Sequence, residues 1–472
     1  MKNLLLVVFV LATIAAFAVA CGTSKKQSEQ TDSTASTVNH PEWSRNAVIY
    51  EVNMRQYTPE GTFKAFEAYL PQLKELGVDI LWFMPIHPIS ELNRKGELGS
   101  YYAVKDYKAV NPEYGTLDDF KSIVDKAHSL GMKVILDWVP NHSGCDNAWV
   151  TEHPDWYVTD SLGKMYGPYD WTDVYKFDYS NKEMRAGMID ALQYWVRDLD
   201  IDGYRCDVAG EVPTDFWEEA RPALDSIKPV FMLAEADKAE LAKNAFDMLY
   251  NWPLKDVINR ISASAGSNRH AIAKKAEMKP ANALTIDTLM QREATEYPGG
   301  LYFMNMITNH DENSWDNTEH ERLGDAVEAY AVLTYTLPGM PLIYTGQEVG
   351  FNHMFEFFIK DPVTPDWTKN ATFEFYKKLN ALKHNTTALN AGNGAEMVRY
   401  PTSNEMTYVF SRTDENGGVY ALFNFSGEEA ALEYTGEAPQ ADIKLVNYFT
   451  GEEEALPATL PAWGYRLYTV AK

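Results

Sequence analysis

The stretch TLDDFKSIVDKAHSLGMKVILDWVPNH, residues 116–142, decides the architecture. Thr116, with Asp119 three residues on, is a helix N-cap signal, and Gly131 after Leu130 is a stop. The β-branched run Lys133–Val139 then reads as a strand. It ends in Asp137-Trp-Val-Pro-Asn-His142, polar groups where a buried strand emerges. This is one helix–strand repeat, and others lie on both sides. Strands are expected over 47–53, 80–86, 133–139, 203–209, 230–234, 246–250, 303–308 and 341–344. Helices are expected over 63–76, 116–130, 183–199, 214–226, 238–245, 283–296, 322–337 and 372–384. Eight such repeats predict an α/β fold, a parallel (β/α)8 TIM barrel, over residues 41–390. A doubly wound open sheet is the competing fold, but no glycine-rich phosphate turn follows the first strand.

Two segments depart from the repeat. Residues 143–178, after the third strand, are loop-like and aromatic, with Trp149, Trp156, Tyr157, Tyr166, Tyr169, Trp171 and Tyr175. An insertion there lies at the C-terminal face, where barrel enzymes build their sites. From 391 to 472 short alternating runs separated by turn signals predict an antiparallel β-sandwich. The stretch 345–368, with Phe351, Phe355, Phe357, Phe358 and Trp367, either walls a cleft or folds back as packing.

The chain has 472 residues and a formal net charge of −25, which argues against a nucleic-acid partner, since such a partner requires a cationic surface. The 13% aromatic content suits flat sugar rings as well as core packing. Residues 1–20 read as a signal peptide: Lys2 precedes an apolar run, Leu4–Val19, too short for a membrane span. The run ends Ala18-Val19-Ala20-Cys21, which resembles a bacterial lipobox and predicts lipidation of Cys21. The polar stretch 21–40 is then a flexible tether. The expected localisation is export, with the only membrane contact through that lipid anchor. Cys145 and Cys206 are expected as buried free thiols.

Four strand ends carry the chemistry: Asp137 to His142, Tyr204-Arg-Cys-Asp-Val-Ala209, Leu233-Ala-Glu235 and Thr308-Asn-His-Asp311. Alternate residues of a strand share a face, so Arg205 and Asp207 point together and Cys206 away. Rim salt bridges would explain any one of these charges, but not three carboxylates gathered at one end of three strands. Glycoside hydrolysis uses such a gathering, with one carboxylate as nucleophile and one as acid/base. Asp207, beside Arg205, is expected to stay ionised. Glu235, with no cation adjacent in sequence, is expected to hold a proton for the leaving oxygen.

These four segments resemble the four signature regions of the α-amylase family, glycoside hydrolase family 13, over residues 45–470. The resemblance implies a retaining hydrolase of α-glucosidic bonds in starch-type glucans or maltooligosaccharides. It implies Asp207 as nucleophile, Glu235 as general acid/base and Asp311 as the third carboxylate. Arg205, His142 and His310 would line the same subsite. Ser100-Tyr-Tyr-Ala-Val-Lys-Asp106 resembles the family's tyrosine segment and puts Tyr102 under the sugar ring. No cofactor is required for the chemistry. Many members hold a structural Ca2+, for which Asn141 with Asp170, Asp173 and Asp178 would supply oxygens. Many amylases carry Lys-His three and four residues after the nucleophile; Gly210 and Glu211 stand here, so leaving-side contacts differ. Within the family, a transglycosylase or an α-1,6 or short-oligosaccharide α-glucosidase is the alternative. Outside it, the alternative is a non-catalytic glycan-binding protein on the same barrel.

Overall fold

The computed structural model describes residues 36–268, 278–363, 367–440 and 444–470. The expected signal peptide, the lipidation site Cys21, most of the tether and Ile443 lie outside the described residues. Eight parallel strands close a barrel: β1 Ile49–Val52, β2 Ile80–Phe83, β3 Lys133–Trp138, β4 Gly203–Cys206, β5 Phe231–Ala234, β6 Met248–Tyr250, β7 Tyr302–Asn305 and β8 Met340–Tyr344. Each pairs with its sequence neighbours, and β8 pairs with β1.

The two-residue period of a strand divides the core into two layers. Ile49, Trp82, Ile135, Leu233, Met248, Tyr250, Met304 and Leu342 fill the barrel interior. Their alternates, among them Tyr50, Leu81, Leu136, Tyr204, Cys206, Met232 and Ile343, pack under the helices. Cys206 therefore faces away from Arg205, as its place in the strand requires; Cys206 and Cys145 are both free and buried.

The helix before β3 is Leu117–Ser129, closed by a capping box between Thr116 and Asp119. The expected helix over 63–76 is instead two, Phe63–Glu67 and Leu70–Leu76, with Pro71 starting the second. The helix expected over 322–337 is likewise divided into Glu319–Leu323 and Val327–Thr336, and the chain passes through Gly324 at φ 58°. Helix Trp252–Ala265 was not expected. Pro253 sits in its first turn, where the missing N–H costs nothing, and Asn251 caps that turn.

The predicted tether boundary at residue 40 also moves. Thr37 N–H donates to the Lys243 carbonyl (2.8 Å), His40 Nδ1 lies 2.8 Å from Asp247 Oδ1, and the His40 ring stacks on Tyr302. Residues 36–40 are thus docked on the barrel.

The insertion contains a two-stranded antiparallel ribbon, His142–Gly144 with Val174–Lys176. The C-terminal region is a six-stranded antiparallel sheet and a two-stranded ribbon, Ala430–Ala431 with Thr459–Leu460. Val409, Leu422 and Tyr468 of the sheet pack with Leu432 and Leu460. The opposite face meets the barrel helix Val327–Thr336, where Phe425 stacks on Tyr330 at 4.8 Å. Burial on both faces explains why Gly417–Asn424 is buried along its whole length.

The start of β4 depends on Gly203. Its φ is 149°, and a Cβ there would lie 1.9 Å from the Phe231 carbonyl oxygen of β5. Gly203→Ala must push apart the two strands that carry Arg205 and lead to Glu235. A loss of about 3 kcal/mol or more in chemical denaturation is expected; a change within ±0.5 kcal/mol would contradict this packing.

Candidate active site

β3, β4 and β5 lie side by side, and their register sets Asp137 beside Arg205 and Arg205 beside Leu233. Arg205 is fully buried. Its Nη1 donates to Asp137 Oδ1 (2.8 Å) and Asp207 Oδ1 (3.0 Å), and its Nε donates to Tyr250 Oη (3.1 Å). Its Nη2 lies 3.1 Å from Glu235 Oε2 in an ion pair. No cation adjoins Glu235 in sequence, but strand pairing brings to it a guanidinium thirty residues away. The resemblance places Arg205 in the lining of the subsite, but it is fully buried and does not line the cleft. It forms the floor beneath the carboxylates.

The fourth strand ends at Cys206, three residues earlier than expected. Asp207 N–H donates to the Trp138 carbonyl (2.8 Å), and the chain turns at Val208 with φ 45°. A β-branched residue in the left-handed region is strained by about 1–3 kcal/mol. The turn aims the Val208 N–H at Glu235 Oε2 (2.8 Å). Both of these contacts of Glu235 end on Oε2.

A second chain of contacts comes from β1. Glu51 Oε1 lies 2.5 Å from His310 Nδ1, and His310 Nε2 lies 2.7 Å from Tyr102 Oη. Tyr102 O–H donates to Asp137 Oδ2 (3.1 Å), which returns the chain to Arg205. His310 and Asp311 open the helix His310–Asp316, capped by Asn309, rather than ending a strand. Asp311 Oδ2 is 3.4 Å from His310 Nε2.

Tyr102, His142, Asp207, Glu235, His310 and Asp311 line one cleft of about 500 Å³. Trp171 and Asp170 of the insertion, Lys95, Trp315, Phe357 and Phe358 line it too. Of the aromatic stretch 345–368, Phe357 and Phe358 therefore wall the cleft, whereas Phe355 is buried and Trp367 stacks on Tyr57 at 4.2 Å. Glu51 escaped sequence reading, although it is the only charge in the apolar run Ala47 to Val52. Lys238 Nζ donates to the Gly210 carbonyl (2.5 Å), so a lysine from the loop after β5 reaches that position.

The electrostatics follow from burial and crowding. Burial pushes the Asp207 carboxyl well above the carboxylate range; the Glu235 charge adds to this, and Arg205 opposes it. Arg205 pulls in the expected direction, toward the ionised form. Burial pushes Asp137 up to about 6 against the pull of Arg205 and His310. Three carboxylates around one guanidinium favour retention of a proton in the cluster. His142 is lowered to about 3 by burial and is neutral. Burial also works against His310, but the charges of Asp311 and Glu51 outweigh it and raise the imidazole to about 9. As an imidazolium, His310 donates through both nitrogens.

The three carboxylates that could serve a Ca2+ have different surroundings. Asp173 is paired with Lys95 Nζ (3.0 Å), Asp170 faces the cleft, and Asp178 accepts from Ser180 N–H in its own turn. Among the described residues no group of three His, Cys, Asp or Glu converges on a metal-sized point.

Glu51→Gln should lower the His310 pKa from about 9, because it removes one of the two charges that raise it. His310 is near 6.5 when unfolded. Its pairing therefore contributes stability below that pH and loses it as pH rises through about 9. Imidazole NMR titration of wild type and variant reads this directly; an unchanged His310 midpoint would refute the Glu51 assignment.

The alpha amylase catalytic-domain family matches residues 27–156 and 152–362. An alpha-amylase of Haloarcula japonica is 26% identical over 453 residues, covering 88% of this chain and 63% of that protein. A cyclomaltodextrinase of Geobacillus thermopakistaniensis is 27% identical over 451 residues, covering 87% of this chain and 70% of its own length. Among solved structures, an alpha-amylase from Lactobacillus plantarum superposes with a TM-score of 0.76 at 32% identity, covering 90% of this chain and 99% of that one. A maltogenic alpha-amylase from Thermotoga neapolitana gives 0.78 at 28%, with the same coverage. With the barrel, the insertion after β3 and the C-terminal sheet in place, the chain belongs to the alpha-amylase family of glycoside hydrolases.

Proposed function

We propose that this protein hydrolyses α-glucosidic bonds of starch-type glucans or maltooligosaccharides by double displacement with retention. The observation that carries the reading is the sharing of one buried guanidinium by Asp207 and Glu235 at the floor of the cleft that Asp311 also enters. Carboxylates held on one guanidinium suit a close pair, and a pair about 5–5.5 Å apart suits retention. Double displacement needs one proton between the two carboxyls, one group ionised and the other protonated.

In the first step a carboxylate oxygen of Asp207 attacks the anomeric carbon, and the bond to the leaving oxygen breaks. Glu235 gives its proton to that oxygen. In the second step Glu235, now ionised, takes a proton from water. The water oxygen attacks the same carbon, the bond to Asp207 breaks and the sugar leaves. Tyr102 offers a ring face to the pyranose, and the His310 imidazolium and Asp311 are placed to hold its hydroxyls. Positive charge on the ring at the transition state is met by the surrounding carboxylates.

A fluorinated glucosyl or maltosyl fluoride should leave a covalent adduct on Asp207, identified by peptide mass spectrometry. Glu235→Gln should lose about 10²–10⁴-fold in kcat on maltooligosaccharides while still binding them. The wild-type pH profile should be bell-shaped. An adduct on another residue, or full activity of the Glu235 variant, would overturn the mechanism.

We also propose that the protein is exported and anchored through an acylated Cys21, on the strength of the apolar run before it. Wild type should fractionate with membranes and take up labelled fatty acid. Cys21→Ser should do neither; uptake by the variant would contradict the anchor.

A further inference from the structure

We infer that the cleft is closed on its glycone side, so that this enzyme takes its sugar from the non-reducing chain end rather than from within the chain. The inference rests on the reading of Asp207 and Glu235 given above. Glu235 protonates the departing oxygen, so the leaving, reducing-end portion of the glucan lies on its side of the cleft. Glu235 follows β5, and in the closed order of strands β5 stands diametrically across from β1. The opposite side of the mouth, where the non-reducing portion must extend, therefore belongs to the segments after β1, β2 and β8.

Those segments are fused. Leu98 N–H, after β2, donates to the Phe358 carbonyl, after β8, at 2.9 Å. The buried Arg55, after β1, reaches both: its Nη1 donates to the carbonyls of Gly99 (3.1 Å) and Phe357 (3.0 Å). The seam is tight enough that a Cβ on Gly96 would lie 2.4 Å from Phe358 Cβ. The wall continues to the insertion through Lys95 and Asp173, whose ion pair (3.0 Å) joins two lining residues. On the other flank the Trp315 ring packs 5.2 Å from Phe357. A glucan threaded through the cleft would have to break this seam, whereas a chain end need only stop against it.

The test uses maltoheptaose labelled at its reducing end, either free or capped by an acetal on the 4- and 6-hydroxyls of the non-reducing glucose. The free substrate should be shortened stepwise from the unlabelled end. Its turnover should exceed that of the capped one by about a hundredfold or more, the scale of exclusion expected of a packed wall. Opening the wall with Lys95→Ala or Phe358→Ala should raise turnover of the capped substrate at least about tenfold relative to the free one. Equal turnover of the two substrates by wild type, with internal products, would overturn the inference and leave the proposed hydrolysis standing. Failure to cleave either would overturn both. The wild-type comparison decides the matter even where a variant does not fold.

Discussion

The buried guanidinium of Arg205 is the constraint around which the site is built. It is fully enclosed, yet touches Asp137, Asp207 and Glu235 from three adjacent strands, and the Tyr250 hydroxyl from a fourth. Removing charges from water costs several kcal/mol per ion, and such clusters seldom repay this as stability. With more carboxylates than cations, this one is poised to keep a proton. That state is poor for a core and useful for acid/base work. The strained turn at Val208 belongs to the same arrangement, because it directs a backbone N–H onto Glu235.

A second set of contacts orients the first. Glu51 fixes His310, His310 fixes Tyr102, and Tyr102 meets the far oxygen of Asp137. The chain runs from β1 through the helix after β7 and the loop after β2 to β3, so it ties together four separate parts of the rim. Asp137 is the junction, with one oxygen on Arg205 and the other on Tyr102. It orients its neighbours, and it does not line the cleft.

The barrel could be read from periodicity because its strands are short apolar runs bounded by strong stops such as Gly131. Two elements that differ from expectation turn on prolines in a helix's first turn. Pro253 marks the start of a helix, and Pro71 starts a second helix inside what reads as one. The six lining residues predicted at strand ends converge on one cleft, except that Arg205 lies beneath them. Contacts between distant segments were invisible. Strand pairing gives Glu235 its cation, and folding of the loop after β8 onto the loop after β2 makes the wall. Glu51 could have been found, since a lone charge in an apolar barrel strand needs a partner.

The claim that one guanidinium holds a close nucleophile and acid is tested most directly by the configuration of the first-formed product. Proton NMR of the anomeric signals, followed from the moment of mixing and before mutarotation, distinguishes the outcomes. The account predicts that the α-anomer appears first and the β-anomer grows in later. Initial release of the β-anomer would mean a single displacement across a wider gap of about 6.5–9.5 Å, and would contradict it.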